Sequence, residues 1–308
     1  MTDSFLSQVF GTIVASVLTV TAAVGVTSPT VDKEKEPSAK EGGARSSLAE
    51  RVEEAVGDSL GPVNGKAGSF GRDVSWPQCP TGMGIPSRRT LGKPMPPASS
   101  SYVIIGLTNG PAFYPNPCLA EQVAYARKLH LWASAYAVVT YPTASQLTMY
   151  RDAGPHPSAD RYGQLRNTGW AQAQVNIENM RSAGLNPPIV WIDVEPVRPP
   201  APWSGDVEAN RAVVEGSMRA YRAAGYEVGV YSTAYLWQSI VGAVSYRLPE
   251  WRAAGPTSKD RALSMCTSGS IQGGDPVLAQ WSNVDVDFNV LCPGRPPGDV
   301  LSEYFAPL

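Results

Sequence analysis

Histidine is nearly absent: His130 and His156 are the only two in 308 residues. That excludes a His-rich metal centre, and no metal or organic cofactor is expected, although carboxylates alone leave Ca²⁺ or Mg²⁺ open. Dense Lys/Arg clusters are also missing, with 25 basic residues against 27 acidic ones for a net charge of −2. A nucleic-acid groove needs a concentrated basic footprint, so nucleic acid is not an expected partner. The four cysteines, Cys79, Cys118, Cys266 and Cys292, lack metal-type C-x-x-C spacing. No internal repeat is visible, and only one long stretch, Phe5 to Val26, is nearly free of charge.

That stretch has about the 20 residues that fit a membrane span or a long signal h-region, with Ala23-Val24-Gly25 as a cleavage site. Asp3 stands where a basic n-region would carry Lys or Arg, so charge placement does not support export. Residues 1–28 are read as a signal peptide or a membrane anchor, and the protein as secreted or held at the cell surface. Residues 29–69 are rich in Lys, Glu, Ser, Gly and Pro and read as a disordered linker. Within them, Leu48, Val52, Val56 and Leu60 have helical spacing. Gly57-Asp58-Ser59-Leu60-Gly61 matches G-x-S-x-G, but a nucleophile elbow needs a strand before it and a helix after it. Gly61-Pro62 does not supply that helix, so the motif is set aside. All four cysteines lie in Pro/Gly/Ser-rich turns. An even count behind an export-like segment suggests two disulfides, with three connectivities open. We expect Cys79–Cys118 and Cys266–Cys292, each joining neighbouring loops.

From Phe70 onward, strand and helix patterns alternate. Strands are expected at 71–75, 102–107, 131–139, 189–194, 227–231, 277–281 and 286–290. Helices fit 118–129, 170–183 and 210–224, with Gly184 and Gly225 as stops. The alternation predicts an α/β fold with a parallel sheet, and residues 70–308 suit a closed, TIM-like (β/α) barrel. Helical signals thin after Trp237, so the last part of the barrel is expected to be irregular.

Asp193-Val194-Glu195 ends the apolar run Pro188-Ile189-Val190-Trp191-Ile192, which reads as a buried parallel strand. Positions i and i+2 of a strand share a face, about 6.5–7 Å apart. Two carboxylates are thus aimed together from one strand end, with Pro196 stopping the strand behind them. In a parallel barrel that end carries the active site. The competing assignment is a structural ion pair or strand-end cap; for Asp73 and Asp287 it is a turn cap, and Asn289 reads as a loop-stabilising side chain. Trp76, Tyr136, Tyr231 and Trp281 are candidates for stacking on a ligand ring at the mouth, with plain packing as the alternative. Trp132 and Trp191 lie inside strands and read as packing.

Four blocks resemble the glycoside hydrolase family 25 lysozymes. Gly71-Arg72-Asp73-Val74-Ser75-Trp76 is similar to their opening G-x-D-V-S-x-W-Q, and Asp193-Val194-Glu195 to their D-x-E. Gly229-Val230-Tyr231-Ser232 is similar to G-x-Y-[ST]. Ala279-Gln280-Trp281-Ser282 followed by Val286-Asp287-Phe288-Asn289 resembles the closing Q-Y-S and D-x-N. Trp76-Pro77-Gln78-Cys79 and Asn116-Pro117-Cys118 are similar to an exported, actinobacterial-type subgroup of such barrels. The resemblance implies an irregular (β/α) barrel that cleaves the β-1,4 bond after N-acetylmuramic acid in peptidoglycan. It places the general acid on Glu195 and supporting carboxylates on Asp73, Asp193 and Asp287. Barrel closure would set Asp73 next to Asp287, with Asp193 and Glu195 facing them. Two departures stand out: Gly106-Leu107-Thr108-Asn109-Gly110 replaces K-A-T-E-G, and Ala137 follows Tyr136 where the lysozymes have Y-H-F. They favour the rival reading, a non-catalytic barrel that binds cell-wall glycan; a glycosidase acting on another glycan is the third. In each case the partner is peptidoglycan or a related glycan, and the protein is expected to be a monomer.

Overall fold

A computed structural model describes residues 69–197, 203–283 and 285–308. The expected signal or anchor, the linker with its helical stretch and the Gly57–Gly61 motif lie outside them. Among the described residues, no helix is long and apolar enough to cross a membrane.

Nine strands and seven helices are present among these residues. The strands are β1 (Phe70–Val74), β2 (Tyr102–Gly106), β3 (Trp132–Val138), β4 (Ile189–Asp193), β5 (Glu227–Ser232), β6 (Glu250–Pro256), β7 (Pro276–Ser282), β8 (Asp287–Leu291) and β9 (Ala306–Pro307). The helices are α1 (Leu119–Lys128), α2 (Ala144–Tyr150), α3 (Arg161–Ser182), α4 (Val207–Ala223), α5 (Ala234–Val241), α6 (Lys259–Met265) and α7 (Pro297–Tyr304). Strands β1 to β7 run parallel in chain order. β8 turns back antiparallel to β7 and closes the ring against β1. The result is an irregular eight-stranded α/β barrel, with β9 added antiparallel to the start of β3. No α-helix links β1 to β2, and β7 passes directly into β8.

Strand alternation sorts the core into two layers. Val103, Ile105, Ala135, Val190, Ile192, Val228 and Val230 face outward onto the helices, packing with Val123, Leu165, Met180, Val213 and Met218. Tyr102, Ile104, Ile189, Trp191, Trp251, Leu278 and Leu291 fill the barrel interior, and Val300, Leu301 and Phe305 at the C-terminal end of the chain join them. Tyr102 and Phe305 meet with ring centroids 4.9 Å apart, so the C-terminal helix stops one end of the barrel. Interior rings this large need missing side chains beside them. A Cβ on Gly229 would lie 2.3 Å from the Trp191 ring, and one on Gly71 would lie 2.4 Å from the Tyr102 ring.

The helices at 118–129 and 210–224 are found within a few residues of their expected bounds, and Gly184 and Gly225 follow α3 and α4 with φ of +73° and +90°. α3 begins at Arg161, well before the expected position 170, because the Asp160 side chain caps Gly163 N at 2.8 Å. Asn167, Thr168, Gln172 and Asn176 on its buried face interrupt the apolar periodicity. These polar groups are satisfied locally; Asn167 donates to Arg151 O at 2.7 Å and Gln172 to Thr140 O at 2.8 Å.

Strand β6 was not anticipated, and its sequence explains why. Glu250 and Arg252 are charged yet buried, joined at 2.7 Å with side-chain exposures of 0% and 5%. Glu250 accepts from the backbone N–H groups of Ile271, Gln272 and Gly274, and Arg252 donates to the carbonyls of Met265, Ser268 and Gly274. The pair thereby organises the helix-poor connection from β6 to β7, which contains only the seven-residue α6.

Both disulfides are present, Cys79–Cys118 and Cys266–Cys292. With sequence separations of 39 and 26, each contributes about 3.5–4 kcal/mol on the loop-entropy account. Removing one partner of a buried ion pair leaves an uncompensated charge. Glu250→Ala should therefore lower stability by about 3–5 kcal/mol in urea unfolding; a loss below about 1 kcal/mol would show that the pair does not hold this connection.

Candidate active site

The end of the barrel opposite α7 gathers acids from three strands. Asp73 sits near the end of β1, Asp193 ends β4, Glu195 follows two residues later and Asp287 opens β8. The β1–β8 register pairs Gly71 with Asn289 and Arg72 with Phe288. Its next step sets Asp73 opposite Asp287. Asp73 and Asp193 are buried, at 8% and 3% exposure, whereas Glu195 and Asp287 remain half-buried.

Asp73 is pinned from two neighbouring strands. Its Oδ1 accepts from Gln280 Nε2 at 3.0 Å and from Asn289 Nδ2 at 2.6 Å. Asn289 Oδ1 in turn accepts from Trp251 Nε1 at 2.7 Å, and Gln280 Oε1 accepts from the Tyr231 hydroxyl at 2.7 Å. Asn289 is thus a fully buried interior residue of β8, where the sequence suggested a loop side chain. By contrast, Asp193 Oδ1 is buried without a hydrogen-bond partner among the described residues. Such orphaned buried oxygens are rare, and they mark sites where a ligand, a water or strain completes the structure. Glu195 is held through its backbone: Trp203 Nε1 donates to its carbonyl at 2.8 Å.

Burial raises the pKa of all four acids, and Asp73 raises the other three. Burial comes first for Glu195, whose pKa rises to about 7, with Arg88 opposing the rise and Asp73 adding to it. Asp287 is pushed up to about 8 by burial and Asp73, against Lys93. Asp193 rises through burial, Glu195 and Asp73. Burial also raises Asp73, but its two amide donors and Arg72 oppose the rise. Like charges this close cannot all ionise together, so the basin holds fewer negative charges than carboxyls. The donors favour placing charge on Asp73 and leaving protons on Asp193 and Glu195.

The aromatic candidates divide. Tyr136 and Tyr231 lie half-buried on the inner wall with Trp251 against both, at centroid distances of 5.8 and 4.5 Å. Trp76 is half-buried in the turn after β1, with the Arg88 guanidinium 5.7 Å from its ring centroid. Trp281 alternates with Gln280 and points away from the axis. Its ring stacks on Phe288 at 5.2 Å in the outer cluster that includes Cys266 and Cys292, so the structure does not bring it to the mouth. Trp191 is fully buried inside the barrel. Sequence reasoning did not single out Gln280, which shares its strand with Trp281, or Arg88, which lies in a connection without periodic signal. Among the described residues, no group of three or more His, Cys, Asp or Glu side chains is arranged to hold a metal ion.

Carboxyls whose folded pKa lies above its unfolded value contribute stability that is fully present below the unfolded pKa and lost as pH rises through the folded one. Stability should therefore fall between about pH 4 and pH 8, the window spanned by Glu195 and Asp287. Glu195→Gln/Asp287→Asn should reduce that fall by about 1–3 kcal/mol after allowance for solvent screening. Urea unfolding at both pH values measures this; equal falls in the two proteins would contradict the shared-proton basin.

Comparison with known proteins finds relatives for part of this chain. Residues 157–255 match the family described as "Lysozyme-like protein 1". A Caenorhabditis elegans protein, "Lysozyme-like protein 5", is 30% identical over 131 residues, covering 39% of this chain and 57% of that protein. A Dictyostelium discoideum protein, "Probable GH family 25 lysozyme 4", is 36% identical over 67 residues, covering 21% of this chain and 30% of that protein. The matched stretches thus span less than two thirds of either curated relative. Among solved structures, the bacterial lysozyme of Streptomyces coelicolor is similar at a TM-score of 0.48 and 18% identity, over 77% of this chain and 97% of that one. Over these matched stretches the chain is similar to lysozyme-like proteins, a glycoside hydrolase family 25 lysozyme among them.

Proposed function

We propose that the protein is an exported muramidase-like hydrolase that cleaves the β-1,4 glycosidic bond of peptidoglycan, with Glu195 as general acid. The observation that carries this reading is the half-buried Glu195 with a pKa near 7, beside the orphaned Asp193 Oδ1 at the open end of the barrel. Glycoside cleavage needs one carboxyl that still carries its proton near neutral pH. Glu195 passes that proton to the leaving glycosidic oxygen as the C–O bond breaks. Asp193 hydrogen-bonds the acetamide beside the reacting carbon, which supplies the partner its Oδ1 lacks, and Asp73 offsets the charge that develops on the sugar. Asp287 helps hold the sugar or position water. Tyr136, Tyr231 and Trp76 offer surfaces to the pyranose rings.

The remaining expectations stand within the same proposal. Residues 70–308 form the hydrolase domain, residues 29–69 a spacer and residues 1–28 the export signal or anchor, placing the protein outside the cell or at its surface. The two disulfides support an oxidising compartment. The Trp76–Cys79 and Asn116–Cys118 segments argue for the exported actinobacterial-type subgroup, acting as a monomer. A second reading, a glycan-binding barrel without turnover, is favoured by Asn109. It stands where the lysozyme motif has Glu, and its amide is buried and engaged with loop backbone.

Dye release from labelled, purified peptidoglycan separates the two readings. Glu195→Gln should lower turnover at least about 10³-fold while the protein stays folded and still binds the insoluble wall. Turnover at the wild-type rate would remove Glu195 as the acid; binding without turnover in the wild type would support the second reading.

A further inference from the structure

β4 ends at Asp193, so Glu195 stands beyond the strand, where the sheet no longer dictates the direction of its side chain. Its backbone is held in another way. Val194 N still donates to Tyr231 O at 3.1 Å, continuing the ladder to β5. The next two carbonyls each accept from a side chain. Ser232 Oγ donates to Val194 O at 2.7 Å, and Trp203 Nε1 donates to Glu195 O at 2.8 Å. Ser232 ends both β5 and the block Gly229-Val230-Tyr231-Ser232, and it is buried.

These two carbonyls flank a single Cα. A peptide group is planar, so fixing the direction of its C=O fixes the whole plane. The Val194 carbonyl sets the plane before the Glu195 Cα, and the Glu195 carbonyl sets the plane after it. Holding both planes fixes the direction of the Cα–Cβ bond between them, and so the direction from which the carboxyl enters the basin. The donors are anchored in turn. Asn210, in the first turn of α4 and buried, accepts at Oδ1 from Ser204 N at 3.0 Å. Its Nδ2 donates to Ser204 O at 2.9 Å and to Ile240 O at 3.0 Å. The residue next to Trp203 is thereby tied to α4 and to the last turn of α5.

We propose that Ser232 and Trp203 are positioning residues for Glu195: their hydrogen bonds to the two carbonyls that flank its Cα, with Trp203 steadied through Asn210, aim the carboxyl into the acidic basin. This rests on the hydrolase reading only in making Glu195 the acid. A proton donor displaced by about 1 Å from its working geometry can lose about 10²-fold in rate while the substrate still binds. The last residue of the Gly229–Ser232 block acquires a role in this way, through the backbone of the neighbouring strand.

The test uses the full chain carrying Ser232→Ala, Ser232→Thr, Trp203→Phe, or Ser232→Ala with Trp203→Phe. Trp203→Phe removes the N–H donor but keeps an aromatic ring at a half-buried position. On solubilised peptidoglycan, Ser232→Ala and Trp203→Phe should each lower kcat about 10–100-fold with KM nearly unchanged. Ser232→Thr keeps the hydroxyl and should stay near wild type. The double variant should lose less than the product of the two single losses, because both bonds act on one Cα. Independently of turnover, a carboxyl-carbon NMR titration of Glu195 should move down by about half a pH unit or more in both single variants, because a carboxyl that leaves the basin regains solvent. Unchanged kcat, a loss confined to KM, equal losses in Ser232→Thr and Ser232→Ala, or an unmoved titration midpoint overturns the proposal. If wild type shows no turnover, the hydrolase reading fails, and the midpoint alone decides whether the two bonds hold the carboxyl in place.

Discussion

One carboxylate oxygen, Asp73 Oδ1, receives hydrogen bonds from β7 and β8 at once, and the site depends on this junction. β8 runs against its neighbours and joins β7 to β1, so the ring closes where Gln280, Asn289 and Asp73 meet. Asn289 links that point to Trp251 in the barrel interior, and Gln280 links it to Tyr231 on the wall. A buried polar network of this kind is rigid only while every member is satisfied. Its geometry makes Asp73 the acid best able to carry charge, and that charge helps keep protons on the carboxyls around it.

The neighbouring acids are costly to fold. Asp193 has an unpartnered buried oxygen, and Asp287 and Glu195 ionise only well above their ordinary range. A basin that stores this much unfavourable electrostatics needs a stiff frame. The interior aromatic packing, the Glu250–Arg252 pair and the two disulfides supply it around the ring. Strain concentrated at one open end of an otherwise satisfied barrel is the pattern expected of a site where a ligand completes the structure.

Much of this was legible in the sequence because parallel strands buried on both faces read as apolar runs, and β2, β3 and β4 do so. The i, i+2 spacing of Asp193 and Glu195 located the acidic end without any knowledge of the fold. The disulfide partners followed from loop neighbours. Strand β6 was hidden because its two charges neutralise each other inside the protein, which no periodicity rule registers. The first turns of α3 were hidden because its buried face is amide-rich. On β7, Gln280 and Trp281 are both buried, so composition could not tell which of the two faces the axis. Residue type alone does not decide between them, yet the glutamine faces the carboxyls. Arg88 was out of reach for another reason: its position depends on a clasp formed by a residue 21 positions away.

The central claim is that burial and neighbouring acids keep Glu195 protonated close to neutral pH. The most direct measurement is a carboxyl-carbon NMR titration of Glu195 in the folded protein, assigned by comparison with Glu195→Gln. The account predicts a midpoint near 7, well above the ordinary 4.5, with inflections that also register the titration of the other basin acids. A single transition near 4.5, insensitive to Asp73 and Asp193, would contradict it.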